Sequence, residues 1–433
     1  MRRTGFRDGA VDDRWEQTGQ RGFTLAEVMV AAAMTTAILA AGFAAVTMTQ
    51  KTTRMTSQVG QTQATVRSAI DMIAADLKLA GFGMQGLVGV GGGPGTVGGC
   101  RINNTPVALV PTDNNPAGPD TGPDRISIVV PMTNSVAAAG PLWQVSVPPA
   151  GMIGGPNSPI TNVPLPAGAI AAMEQAVGGA ALLPGMSVSI AGTAGSVIQN
   201  AGGGGLVLNP PIPSPVQFGT GTQVYVLQCI TYQVIPPPDN LNLCQGNAPC
   251  LVRGAVPIAL VPAGTAPNCN QAGSTCVPIM DGVEDLQLAY ACDGCSPLVN
   301  GGNPDGQIDD LNGSNSFDQG DFITNRDWFG TGAPFGTYMT PDKIRLVRVT
   351  LVARQARPDQ GFGEANQVVT HTGLSSGAMG GGINGGILTV SDHNHADGLF
   401  VAGDNGTPTQ QQAYLQLRRR ILTRTVELRN QRY

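Results

Sequence analysis

Between Leu298 and Phe322 the chain reads LVNGGNPDGQIDDLNGSNSFDQGDF, a stretch dense in oxygen donors and turn residues. Asn303, Asp305, Gln307, Asp309 and Asn312 are the candidate ligands, with Gly306 among them and the apolar Ile308 close behind. Oxygen ligands at alternate positions, a glycine for the sharp turn and one backbone carbonyl, here from Gln307, are what a calcium-binding loop requires. The register is incomplete, because Gly301 takes the first ligand position and Asn312 the last, where a bidentate glutamate belongs. Asp310, Asp318 and Asp321 lie outside that register but within the same loop. Calcium is the cofactor this loop would take; the alternative reading is an acidic, solvated turn between strands.

The second chemical resource is sulfur. The eight cysteines are Cys100, Cys229, Cys244, Cys250, Cys269, Cys276, Cys292 and Cys295. An even number in an exported chain reads as a disulfide set, whereas a reducing compartment favours metal or redox use. Cys244 with Cys250, Cys269 with Cys276, and Cys292 with Cys295 are local pairs, and Cys100 with Cys229 would close a large loop; spacing leaves other pairings open. Cys292-x2-Cys295 alone also suits a redox dithiol or half of a zinc site, but no second pair at zinc spacing accompanies it. His371, His393 and His395 are the only histidines. The run Asp392–Asp397 that holds two of them reads either as a chelating cluster or as an exposed loop. No nucleophile–base pair or paired catalytic carboxylates stand out, so no catalytic residue is nominated and no enzymatic activity is expected.

The elements that carry these residues follow from composition and periodicity. Of 433 residues, 60 are glycine, 33 are proline and only 12% are charged, which suits short strands joined by long loops. The formal charge of −5 argues against nucleic acid as a partner. The glycine-rich stretch 81–99 lacks the lysine and the strand–loop–helix setting of a phosphate cradle.

Residues 1–22 are polar, with five arginines (Arg2, Arg3, Arg7, Arg14 and Arg21) against four acids. From Phe23 to Met48 the only charge is Glu27. About 20 apolar residues cross a bilayer, and basic residues ahead of such a span favour a cytoplasmic N-terminus. A cleaved secretory signal is the rival reading, but it leaves Glu27 and the Gly22-Phe23 step without a purpose. Beyond Lys51 the chain turns amphipathic. Val66, Ala69, Ile70, Ile73, Ala74, Leu77 and Ala80 recur at steps of three and four, which marks one apolar helical face. Gly60 is expected to weaken the middle of this helix, and Gly81 to cap it.

Strand-like runs between glycine and proline clusters follow at Arg125–Val130, Trp143–Val147, Met186–Ala191, Gly195–Gln199, Leu206–Leu208, Gln223–Val234, Leu251–Leu260, Val283–Tyr290, Ile344–Ala353 and Arg420–Leu428. Ala167–Leu183 is expected to hold a short helix. Leu286, Leu288 and Tyr290 alternate with Asp285 and Gln287, and Val347, Val349, Leu351 and Ala353 alternate with Arg348, Thr350 and Arg354. Such alternation predicts half-buried antiparallel strands with one face on the helix. The expected fold class is α+β. A leader spans 1–22, a stalk helix spans 23–80 (transmembrane, then amphipathic), and a predominantly antiparallel β-rich head spans 81–433.

The stretch Gly22-Phe23-Thr24-Leu25-Ala26-Glu27-Val28 resembles the prepilin motif of type IV pilins and type II secretion pseudopilins. AIDMIAADLKLAGFG, DGVEDLQLAY, KIRLVRVTLVAR and RRRILTRTVELRN are similar, in order, to segments of PilW-type minor pilins. The resemblance implies cleavage by prepilin peptidase between Gly22 and Phe23, methylation of the new Phe23 amine, and an assembly role for Glu27, paired with that amine on a neighbouring subunit. It also implies an inner-membrane protein with its head in the periplasm, which then joins other minor and major pilins near the tip of a surface pilus. There it would help prime assembly and position a tip adhesin. Ala44 stands where many major pilins have a kinking proline. Two alternatives remain at this point: a J-type pseudopilin of type II secretion, which shares the architecture, and an exported enzyme or ligand-binding domain behind an ordinary signal sequence.

Overall fold

A computed structural model describes residues 23–84, 100–102, 105–112, 123–132, 143–147, 151–177, 184–235, 242–244, 248–254, 269, 275–323, 340–355, 382–384, 387–390, 393–394 and 419–429. Gly22 and the rest of the expected leader lie outside them, as do most of the glycine-rich stretch, His371, His395 and residues 255–260 of one expected strand. The chain divides into two units, Met1–Gln58 and Val59–Tyr433.

In the first unit the described residues form the start of helix α1 (Leu25–Leu79). Alanine, leucine and methionine dominate this stretch and favour helix. Its large apolar side chains, from Phe23 through Met34, Ile38 and Phe43 to Met48, are exposed all round. Among the described residues this is the one helix long and apolar enough to cross a membrane. An all-round apolar helix belongs in lipid or in a helical assembly. The helix runs through Gly60 without a break, so the expected weak point leaves the hydrogen-bonded ladder intact.

In the second unit the last turns of α1 bury Val66, Ala69, Ile70, Ile73, Ala74 and Leu77, the face predicted from periodicity. The helix closes at Gly81, whose φ of 77° suits a residue without a Cβ. Gly81 also donates its amide to the Val129 carbonyl, which fastens the helix end to a strand.

The strands, in order, are β1 (Arg101–Ile102), β2 (Thr105–Pro106), β3 (Leu109–Thr112), β4 (Arg125–Pro131), β5 (Met152–Gly154), β6 (Ile160–Pro164), β7 (Ser187–Ile190), β8 (Ala194–Gly202), β9 (Gly205–Ile212) and β10 (Gln217–Gly219). They continue with β11 (Val224–Ile235), β12 (Cys250–Gly254), β13 (Val277–Asp281), β14 (Val283–Cys292), β15 (Ile344–Arg354), β16 (Gly382–Asn384), β17 (Ile387–Val390), β18 (His393–Asn394) and β19 (Arg419–Glu427). A short helix, α2 (Ala169–Val177), lies within the segment expected to hold one. The larger sheet has nine strands centred on β11, which pairs antiparallel with β4, β7 and β12. A second sheet has the order β14-β15-β19, also antiparallel. Strands of both sheets share one core with the amphipathic part of α1.

Between β4 and β11 a separate core forms around Trp143, Ile160, Met173, Ile190, Ile198 and Val226. The strand expected at Trp143–Val147 is reduced there to a single bridge between Gln144 and Gln223. Pro148 and Pro149 directly follow it, and proline cannot donate to a ladder.

One expectation about the smaller sheet is overturned. β14 is buried along its entire length, not on one face alone, and Asp285 and Gln287 are fully buried. The two side chains satisfy each other in part, since Gln287 Nε2 donates to Asp285 at 3.0 Å. Part of the smaller sheet's second face is covered by the loop that follows β14: Phe322 packs with Ala289 and Ala291, and Arg348 stacks on its ring at 4.4 Å.

Candidate functional site

The helix start is built from the residues of the motif itself. Thr24 precedes the first helical residue. Its backbone amide donates to Glu27 Oε2 at 3.0 Å, and its hydroxyl donates to the same oxygen at 3.1 Å. The Glu27 amide donates back to the Thr24 hydroxyl at 3.3 Å. This reciprocal arrangement is a capping box, which satisfies amides that a helix N-terminus otherwise leaves bare. Threonine followed three residues later by glutamate is a spacing legible in sequence, and it gives Glu27 a second role beside the expected one in assembly. Phe23, at 86% exposure, stands just outside the box.

The far end of α1 carries a second polar centre. Asp76 accepts from Arg253 Nε of β12 at 2.7 Å and from the Tyr232 hydroxyl of β11. Arg253 Nε also reaches the Tyr232 oxygen at 3.0 Å, so the three groups close on one another. Burial, and then the neighbouring Asp76 carboxylate, push the Tyr232 hydroxyl far above its usual value, while Arg253 pulls the other way. Burial alone would lower Arg253, but its bonds and charge interactions with Asp76 and Tyr232 raise it instead, so it stays charged. On the more exposed side of the helix Asp71 pairs with Arg424 of β19.

A third centre ties the smaller sheet together. Glu284 sits at a bulge between β14 and β15 and is fully buried. Arg419 meets it through Nε at 2.6 Å and Nη2 at 3.0 Å, and Arg354 through Nη1 at 3.3 Å. Arg354 and Arg419 are register partners on adjacent strands. Two like charges face each other there, and the carboxylate between them makes the pairing tenable. Gly282 has φ of 77°, and a Cβ there would come to 2.9 Å from the Arg354 carbonyl oxygen, too close to fit.

The acidic loop is a built element. Asp309, 3% exposed, accepts from the amides of Gly294, Cys295 and Ser296 at 2.7–2.8 Å. Asp293 accepts from the amides of Asp305 and Gly306 and pairs with Arg345 at 3.2 Å. Lys343 Nζ donates to the carbonyls of Gly294 and Gly302. Asp318 and Asp321 form a capping box of their own on a short 3-10 turn. The residues named for calcium are not gathered on one centre. Asp309 points to the root of the loop, Asp305 accepts from the Gln307 amide, Asn303 pairs with Asn300, and Asn312 donates to Asp318. Among the described residues no group of three or more His, Cys, Asp or Glu is placed to hold a metal ion. Residues 303–307 and 312–320 are exposed, as a solvated turn would be, while Phe322, Asp309 and Asp321 are buried and anchor the loop.

All eight cysteines are in disulfides: Cys100–Cys229, Cys244–Cys250, Cys269–Cys276 and Cys292–Cys295. The last closes at the root of the acidic loop, beside the amides that Asp309 holds.

Two comparisons with family models fit this architecture. Residues 17–43 match the prokaryotic N-terminal methylation motif, which spans the capped helix start and the first exposed apolar turns. Residues 245–430 match the type IV pilus-assembly protein W family, and this range contains β14, the acidic loop, β15, β19 and the Glu284 clamp. No curated protein and no solved structure matches the chain. An apolar, capped N-terminal helix whose second half carries an antiparallel head, joined to the methylation motif, defines a type IV pilin-like protein. Within that class the two matches support a minor pilin of the PilW type.

Proposed function

We propose that the chain is held in the inner membrane by residues 23–48, with residues 81–433 on the periplasmic side. Prepilin peptidase cuts between Gly22 and Phe23, and the new Phe23 amine is methylated. The mature subunit then joins other minor and major pilins near the pilus tip, where it helps prime assembly and positions tip components, a tip adhesin among them. Its role is structural.

The observation that carries this reading is the contrast along α1. One stretch exposes every large apolar side chain and holds a single carboxylate at its start. A carboxylate in hydrocarbon costs about 2.5–3.5 kcal/mol or more. A positive amine on a neighbouring subunit is the partner that would offset that cost in a filament.

Mass spectrometry of the mature N-terminus tests the processing step. A chain beginning at methylated Phe23 is expected. An intact leader, or a terminus in the forties from an ordinary signal cleavage, would defeat the proposal. Detection in sheared surface pili alongside the major pilin tests the destination, and a chain found only in the membrane would contradict it.

A further inference from the structure

The capping box at the start of α1 has a consequence for how Glu27 is presented. Oε2 is taken twice by Thr24, through amide and hydroxyl. Oε1 has no hydrogen bond among the described residues. The Thr24 hydroxyl donates to the carboxylate while accepting from the Glu27 amide, so one side chain sets both the helix start and the carboxylate's position.

We infer that Thr24 is a positioning residue for Glu27: it ties one carboxylate oxygen to the subunit's own helix start and leaves the other for a neighbouring subunit's amine. This rests on the reading that Glu27 pairs with such an amine. The physical reason is twofold. In the membrane, the two donors and the positive end of the helix dipole lower the cost of carrying a carboxylate before any partner arrives. At assembly, the amine adds to the unoccupied oxygen, so no bond within the subunit has to break. The side chain is also already ordered, and ordering it on contact would otherwise cost affinity. Valine has nearly the shape of threonine but no hydroxyl, whereas serine keeps the hydroxyl without the methyl.

The test compares full-length Thr24→Val, Thr24→Ser, Glu27→Ala and Thr24→Val/Glu27→Ala, each expressed to the same membrane level. Two quantities are read: the fraction cut at Gly22, and the fraction recovered in sheared filaments. Thr24→Val should be cut normally but incorporated about fivefold less well, the size of a lost helix cap. Thr24→Ser should restore incorporation, and Thr24→Val should add nothing to the defect of Glu27→Ala. If Glu27→Ala is defective while Thr24→Val incorporates like wild type, the inference fails and the pairing reading stands. Failure of serine to rescue, or a further loss in the double variant, also overturns it, because either means Thr24 does not act through Glu27. If Glu27→Ala itself incorporates like wild type, the pairing reading fails and takes this inference with it.

Discussion

Arg253 of β12 places its Nε 2.7 Å from a carboxylate oxygen of Asp76, 177 residues earlier on α1. The Tyr232 hydroxyl meets the same oxygen from β11. One acid on the helix thus engages two adjacent strands of the larger sheet, and it lies next to Leu77, whose side chain is fully buried in the core. Replacing Asp76 by alanine leaves a partly buried guanidinium and a buried hydroxyl without their acceptor. Hydrogen bonds to charged groups contribute about 1.5–3 kcal/mol each, so the loss in unfolding free energy should be about 2–3 kcal/mol. Tyr232→Phe should cost less, about 1 kcal/mol. Urea denaturation of the detergent-solubilised chain measures both.

The same hydroxyl predicts a pH dependence. An unfolded tyrosine ionises near 10, whereas burial and the Asp76 carboxylate keep folded Tyr232 protonated well beyond that. Its contribution is complete below pH 10. As pH rises further, the unfolded state releases a proton that the folded state keeps, so stability falls. Tyr232→Phe should flatten that alkaline decline relative to wild type. An equally steep decline in the variant would show that other groups govern it.

Glu284→Gln should loosen the C-terminal strand. It removes the charge between Arg354 and Arg419 and leaves two guanidiniums opposed across β15 and β19. Breaking a buried ion pair by removing one partner costs about 3–5 kcal/mol. Hydrogen exchange should show the earliest loss of protection in β19 amides. Uniform loss over the larger sheet would argue for a different role.

Asp309→Ala should free the acidic loop, because the amides of Gly294, Cys295 and Ser296 lose their common acceptor. About 2–3 kcal/mol is expected from buried donors left bare. The wild-type loop carboxylates already accept from backbone amides, so thermal midpoints in calcium and in excess EDTA should coincide. A midpoint that rises with calcium would place the ion among Asp305, Asp310 and Asp318 instead.

The disulfides should differ in weight. Cys100–Cys229 spans 129 residues and Cys244–Cys250 only 6. Chain-entropy reasoning gives roughly 5 kcal/mol for the first and roughly 2 kcal/mol for the second. Paired serine variants, compared by denaturation, should keep that order.

What could be read in advance was what local periodicity encodes. The buried face of α1 and the runs that became β14, β15 and β19 follow from spacings of three to four and of two. The burial of Asp285 and Gln287 could not be read that way. Alternation identifies a polar face, but here a loop returns over the sheet, with Phe322 and Arg348 packing together. Glu284 and Asp76 were hidden for a related reason, since their partners lie 70 to 177 residues away. Thr24 was different. Its capping spacing is visible in the sequence, but spacing alone does not show that amide and hydroxyl take the same carboxylate oxygen. The small strands β5 and β10 lie among glycines and prolines, where a three-residue ladder has no periodicity to detect.

The position of β19 has a consequence for how the chain is made. The strand ends at Glu427 of a 433-residue chain, pairs along β15, and sends Arg424 to Asp71, 353 residues upstream. A ribosome delivers α1 long before this strand. Until β19 emerges, the outer edge of β15 has no partner there, Glu284 meets only Arg354, and a nascent head holds an unfinished core of Val347, Val349 and Leu351. A chain that stops short of β19 therefore has α1 but leaves the smaller sheet without its third strand. Closure of the smaller sheet thus waits on a strand made some 350 residues after the helix it is tied to.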